Sequence, residues 1–399
     1  MSFRFIIYKN CVIFKSLFPI LNLFLLFSCS NETPNKQGII INPENAEIKV
    51  ELPDIQAIPY SIMDYSDIYS DVRYISLESR PYATLEAITQ IERTKSNDYV
   101  VFDEVRMLIV RYDSNGNFLN LIGERGNGHN EYNEPTMIAY DKYEDQVLVH
   151  DNGTKSIKVF NLDGKLIKSF KAPSWHCGIH VLDEKHLVFF FNYTTYEGNG
   201  YNYWVTDKEG NVCFKFEEIP TDYIMTLLPY NKYTFRYDGN ELCCISPYSN
   251  MVYSVSSEGV APKCLLEAKD GIWALGNPLN IEEVIKNQAH NQLQSLYFIK
   301  DKILMSFIKS QGYVIFGLFN KTGDIQWFTY MNNDIDGIIT SVNWRACIDN
   351  ELYAIFYPDE LERRIKNLKD KSDISKETIG KMEEMSQCIN PVIQICTIK

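Results

Sequence analysis

Five times between Tyr99 and Tyr330 the sequence draws the same figure of apolar and polar positions. An apolar run breaks at a polar turn, resumes, reverses at a short turn carrying glycine, and resumes once more. The paired runs are YVVFDEVRMLIVRY from Tyr99, QVLVHDNGTKSIKVF from Gln146, HLVFFFNYTTYEGNGYNYWV from His186, ELCCISPYSNMVYSV from Glu241 and KILMSFIKSQGYVIFGLF from Lys302. The glycines of the following turns are Gly116, Gly164, Gly210, Gly259 and Gly323, at intervals of 48, 46, 49 and 64 residues. Short apolar runs rich in aromatic and β-branched residues predict antiparallel strands, and glycine after Asn, Asp, Glu or Thr supplies the positive φ of a hairpin turn. A sixth pair begins at ELYAIFY from Glu351 and resumes at PVIQICTIK from Pro391, and an orphan strand, DVRYISLE from Asp71, precedes the first unit. Units of about 40–50 residues with four strands each are the period of a propeller blade. The orphan strand supplies what the sixth unit lacks. The pattern therefore predicts an all-β six-bladed propeller over residues 46–399, with four-stranded antiparallel blades and an N-terminal strand closing the last one.

The period changes in two places. Between about 359 and 387, Leu361, Ile365 and Leu368 and then Ile379, Met382 and Met385 recur at helical spacing among Lys and Glu, with a break near Ser372–Ser375. This predicts a two-helix insert between the second and third strands of the last blade. At the other end, Arg4, Lys9 and Lys15 precede an apolar stretch from Leu17 to Ser28, too short to span a bilayer comfortably, which predicts a signal peptide over residues 1–28. Leu26-Phe27-Ser28-Cys29 resembles a lipobox, making Cys29 the expected lipidation site and the membrane an expected partner. Residues 29–45 are mostly polar and read as the lipidated cysteine and a flexible tether.

Composition adds an aromatic load of 26 Tyr and 22 Phe, which suits half-buried pleated surfaces. The formal charge is −13, and loss of residues 1–28 removes three cations, leaving 36 basic against 52 acidic residues and a charge of −16. Such a surface repels phosphate backbones, so nucleic acid is excluded as a partner and neutral or cationic ligands are favoured. None of the ten cysteines has CxxC spacing, although Cys388 and Cys396 could bridge across a turn. No HExxH, GxSxG, phosphate loop or dinucleotide fingerprint occurs, and the sequence assigns neither a metal nor a cofactor.

The segment from Leu121 to Phe170, with LIGERGNGHNEY, a Pro, VHDN and then LDG, resembles an NHL-type repeat. With the lipobox-like Cys29, the YISLE strand and Asn390-Pro391-Val392 after the helical insert, the chain resembles the six-bladed β-propeller lipoproteins common in Bacteroidetes. That resemblance implies a fold and a cell-envelope address, the outer membrane included, rather than a reaction.

In a propeller of this strand order the loops between blades share a face with the loops between second and third strands. Arg125, His129 and Tyr132 in the glycine-rich loop and Asp151 in blade two fall there, as do Trp175, Tyr193, Tyr196 and Tyr248. Arg125 suits a carboxylate or sulfate, and flat rings beside hydroxyls suit sugars or peptide side chains. Asp103 and Asp151 occupy equivalent repeat positions, where capping of backbone N–H groups is the plainer role. These residues favour a non-catalytic, lipid-anchored binding module for a glycan, peptide or envelope protein. A metal-dependent propeller enzyme of lactonase or lyase type, and a structural subunit of an outer-membrane complex, are the alternatives.

Overall fold

The computed structural model describes residues 38–54, 57–173, 176–195, 199–219, 235–246, 249–268, 292–308, 314–321, 323–338, 344–368 and 375–399. Residues 37–399 form one unit, and Met1–Lys36, which hold the predicted leader and Cys29, lie outside the described residues.

The sheets make six blades of four antiparallel strands. Blade one has strands 88–93, 99–103, 108–112 and 118–121, and blade two spans 135–171. Blades three, four and five span 178–218, 235–268 and 292–328. Blade six takes 344–348, 351–356 and 392–398 from the C-terminal end of the chain and 69–76 from the N-terminal end. The inner strand of blade six packs beside that of blade one, so the ring closes.

Successive strand residues point to opposite faces, and here each face meets a neighbouring blade. In strand 99–103, Tyr99 and Val101 join the cluster shared with Ile355 and Ile393 of blade six, while Val100 and Phe102 join the cluster shared with Ile138 and Val149 of blade two. This is why the second strands read as unbroken apolar runs rather than as alternation: both of their faces are buried. Six such clusters fill the six junctions of the ring, which accounts for most of the aromatic load.

Closure is the predicted one, with Ile75 opposite Ile393 and Arg73 opposite Ile395. The turn glycines of blades one to three adopt φ of +86°, +81° and +89°. At Gly116 a side chain is excluded twice over, since its Cβ would lie 2.3 Å from the carbonyl oxygen of Ser76 at the end of the closing strand.

One feature departs from the sequence reading. The segment before the closing strand is a strap around the rim: Gly38–Ile39 pairs in parallel with the outer strand of blade three, Ile48–Leu52 with that of blade four, and Ile62–Asp64 with Tyr330–Asn332 beside blade five. The described chain thus docks from residue 38, inside the stretch read as tether. Its alternation explains the contact, because Ile48, Val50 and Leu52 are buried in the junction of blades four and five while Lys49 and Glu51 are exposed.

The insert forms as two helices, Pro358–Leu368 and Lys376–Ser386. Ser375 caps the second, its hydroxyl accepting from the Thr378 N–H at 3.0 Å. Leu361, Ile365, Met382 and Met385 pack on Phe356, Ile338 and Val392. Cys388 and Cys396 are both free thiols.

Candidate functional site: the central channel

The inner strand of each blade has a sheet partner on one side only, so its other edge faces the ring axis, where in blade two the Gln90 side chain bonds both the N–H and the carbonyl of Ile138. The space the inner strands enclose is a cavity of about 750 Å³ lined by residues of all six blades. Thr94, Lys95, Lys142, Asn240, Lys300 and Asn350, from the turns that follow the inner strands, are among the lining residues, whereas no described residue of the loops after the second strands is. The cavity therefore opens on the face carrying the first hairpin of each blade. Those hairpins are tight in blades four to six, where two residues connect the strands; Asp349 and Asn350 both take positive φ, +48° and +65°, the signature of a type I′ turn.

Each blade contributes one basic or imidazole side chain to the lining: Arg93, Lys142, His180, Arg236, Lys300 and Arg345 in chain order, with Lys95 as an additional cation. Against six formal cations stand two carboxyls, Glu92 and Asp349. Other acidic groups near this rim are already engaged. Asp98 binds Arg111 at 2.6 Å, Asp141 binds Lys208, and Asp238 holds Lys321 at 3.0 Å and Lys263 at 3.2 Å. Glu351 bridges Arg73 at 2.7 Å and Arg93 at 3.0 Å. Lys142 meets ring faces instead of a carboxylate, with its Nζ 5.4 Å from the centre of Tyr143 and 5.2 Å from that of Tyr237.

His180 occupies the wall between blades three and four. Its Nε2 is 3.0 Å from Tyr237 Oη and its ring stacks on Phe235 at 5.3 Å. Burial, reinforced by the charges of Lys142 and Arg236, pushes its pKa down to about 4, so the imidazole is neutral at neutral pH. Glu92 makes no hydrogen bond or ion pair among the described residues, and burial alone raises its carboxyl to about 8. The wall thus holds a neutral acid and a neutral base among cations. Among the described residues no three His, Cys, Asp or Glu side chains are grouped so as to hold a metal ion.

With this geometry in place, comparison with known proteins is informative about kinship. A family model described as a domain of unknown function, DUF4934, matches residues 57–397. The chain belongs to the DUF4934 family. No curated protein matches its sequence. Among solved structures, this DUF4934 chain is similar to one from Bacteroides fragilis described as a "putative exported protein", at 14% identity and TM-score 0.69, covering 88% of this chain and 99% of that one. A member of the duf4221 family from Bacteroides vulgatus matches at 10% identity and TM-score 0.46, over 83% of this chain and 97% of that one. Virginiamycin B lyase from Staphylococcus aureus matches at 12% identity and TM-score 0.37, over 71% and 80%. At such identities the likeness establishes the fold alone.

The described residues among those singled out from the sequence of this DUF4934 chain lie on the opposite face and do not form one site. Arg125 and His129 are exposed on the loop after blade one, where Glu124–Arg125 pairs in parallel with Glu131–Tyr132. Tyr132, expected to be available to a ligand, is fully buried and packs edge-on against Phe160 in the junction of blades one and two. Asp151 is also fully buried and accepts from the Asn133 N–H at 3.1 Å, the Glu134 N–H at 2.9 Å and the Thr154 hydroxyl at 2.8 Å, with Lys158 Nζ at 3.0 Å. Asp103 repeats the arrangement one blade earlier, accepting from the Glu86, Ala87 and Arg106 N–H groups. Both are loop clamps. Tyr193, expected as an exposed ring, is buried and sits at φ +60°, its N–H donating to Asn202 Oδ1 at 2.8 Å. Trp175, Tyr196 and Tyr248 lie outside the described residues.

The channel lining escaped sequence reading because the inner strands carry the weakest apolar signal of the repeat. Segments such as ITQIER, FRYD and WRACI mix polar and apolar residues, since one edge faces the channel. Aligning the residues just before the second strands would have exposed the signal, one cation or histidine per blade. The acidic total charge points the wrong way for this site: acidic residues elsewhere surround a channel of opposite sign.

Proposed function

We propose that this chain is an exported, lipid-anchored envelope propeller that binds a small ligand in its central channel. The observation that carries this reading is the convergence of all six inner strands on one cavity of about 750 Å³ with a few placed polar groups. That volume falls within the roughly 300–1,000 Å³ of small-molecule sites. It moves the binding role from the loop face, with Arg125 and His129, to the opposite mouth. Export is supported by the leader with Arg4, Lys9 and Lys15, by Cys29 in its lipobox-like setting, and by the exported description of the Bacteroides fragilis relative.

The test compares two single variants with an aryl probe, 8-anilinonaphthalene-1-sulfonate, whose fluorescence rises in an apolar site. Asn240→Trp, which places a large ring on the exposed turn at the mouth, should abolish saturable probe binding, and Arg125→Ala should leave it unchanged. The reverse pattern would return the site to the loop face. Labelling with a radioactive fatty acid, lost in Cys29→Ser, tests the anchor.

A second reading has one observation in its favour. An unpaired Glu92 that keeps its proton near neutral pH, across the channel from a neutral imidazole, is the equipment of general acid and base chemistry. Turnover lost in both Glu92→Gln and His180→Gln, with ligand affinity retained, would make the channel an active site.

A further inference from the structure

We infer that the ligand of the channel is an organic anion, a carboxylate or sulfate borne on a ring-sized body, with its charge seated at Lys142 beside His180. The inference rests on the channel reading above and specifies its chemistry.

Three independent features of the cavity point to it. The first is the charge ledger of the lining, six cations, of which Arg93 is paired with Glu351, to two carboxyls. A recessed site of one sign with low-dielectric walls concentrates counter-ions, here against the repulsion of the acidic body around it. The second is that four acidic groups near the mouth are held in ion pairs. Asp98, Asp141, Asp238 and Glu351 are each neutralised by a cation, and Arg73, Arg111, Lys208, Lys263 and Lys321, five of the cations that do this, do not line the cavity. Meanwhile Lys142 and Lys300, at the mouth, have no ion-pair partner among the described residues. The third is the local arrangement around Tyr237. Lys142 Nζ is 5.2 Å from its ring and its Oη is 3.0 Å from His180 Nε2, while the guanidinium of its chain neighbour Arg236 turns the other way and lies 4.6 Å from the ring centre of Tyr297. The His180 ring shares one hydrogen bond with Tyr237 through Nε2, which leaves Nδ1 as its second polar atom beside Lys142. The depressed imidazole pKa, to which both Lys142 and Arg236 contribute, agrees with their closeness to the ring.

Glu92 fits the same scheme. Held in its neutral form by burial, it does not repel an anion at neutral pH, and it ionises only as the pH rises through about 8. The half-buried rings of Phe235 and Tyr237 give a ring-shaped ligand apolar surface beside the charges.

The experiment uses the full mature chain and a matched pair of fluorescent probes, 8-anilinonaphthalene-1-sulfonate and its uncharged analogue N-phenyl-1-naphthylamine. The sulfonate is expected to bind at least tenfold more tightly than the neutral probe, and to weaken as NaCl is raised from about 20 to about 200 mM. Lys142→Glu, at an exposed position, should lower its affinity at least tenfold. Displacement by glucuronate or by glucose 6-sulfate, but not by glucose, separates a carboxylate ligand from a sulfate one. Equal affinity for the two probes, or no effect of Lys142→Glu, overturns the inference. If the neutral probe binds as well and Asn240→Trp removes both, the channel reading stands and only the anion falls; if Asn240→Trp removes neither, the channel reading falls with it.

Discussion

Arg73 and Glu351, 278 positions apart in sequence, meet at 2.7 Å between Nη1 and Oε1, and the same carboxylate holds Arg93 of the next blade at 3.0 Å. One side chain therefore ties the closing strand to blade six and blade six to blade one. Burial tends to raise the Glu351 pKa, but hydrogen bonds from Arg73 and Tyr353 and the charges of both arginines hold it below the ordinary carboxylate range. Glu351→Ala leaves two guanidiniums without their shared partner and should cost about 3 kcal/mol. Urea unfolding should show the loss, and a variant within about 0.5 kcal/mol of the parent would mean that apolar packing alone closes the ring.

Asp103 and Asp151 make equivalent clamps, so they should respond alike. Asp151→Ala strands three donors and a nearly buried lysine and is expected to destabilise by about 3 kcal/mol. Asp151→Asn should recover part of this, because the amide oxygen still accepts from the Asn133 and Glu134 N–H groups. If either alanine variant lost ligand binding while keeping full stability, a structural role for the pair would be wrong.

Glu92 binds its proton more tightly in the fold than in the unfolded chain, with a pKa raised from 4.5 to about 8. The folded state then holds more protons between those values, so this group makes stability fall as pH rises through that window. Glu92→Gln should raise the melting temperature at pH 8 and leave it unchanged at pH 4. An unchanged melting temperature at both would place the carboxyl in contact with water.

His150 and His180 act in the other direction. Burial pushes both imidazoles from 6.5 down to about 4. Between those values the unfolded chain binds more protons, so the pair contributes stability above pH 6.5 that drains away toward pH 4. Denaturation midpoints measured from pH 7 to pH 4 should fall less steeply in His180→Gln than in the parent, by the slope of one proton. Parallel slopes would contradict a neutral His180.

The sequence made the ring legible because every junction needs two apolar faces. Strands such as Tyr99–Asp103 therefore stand out, and Gly116, Gly164 and Gly210 mark the outer turns at near-constant intervals. The insert was equally plain from Leu361, Ile365, Met382 and Met385. The strap was not, because parallel pairing of Ile48–Leu52 to a strand more than 200 residues later leaves no local mark beyond a short alternation. The candidate residues fared worse for a related reason: Tyr132 and Tyr193 looked like binding rings because a loop aromatic and a core aromatic read the same in one sequence. The channel cations were missed because the inner strands are the least apolar of each blade, and because total charge describes the rim rather than the axis.

Hydrogen exchange of the full chain, followed by mass spectrometry with and without saturating 8-anilinonaphthalene-1-sulfonate, tests the channel as the ligand site most directly. Slowed exchange confined to inner-strand peptides covering residues 88–95, 235–240 and 344–350 is the predicted result. Slowed exchange in the loop of residues 124–134, with the inner strands unchanged, would contradict it.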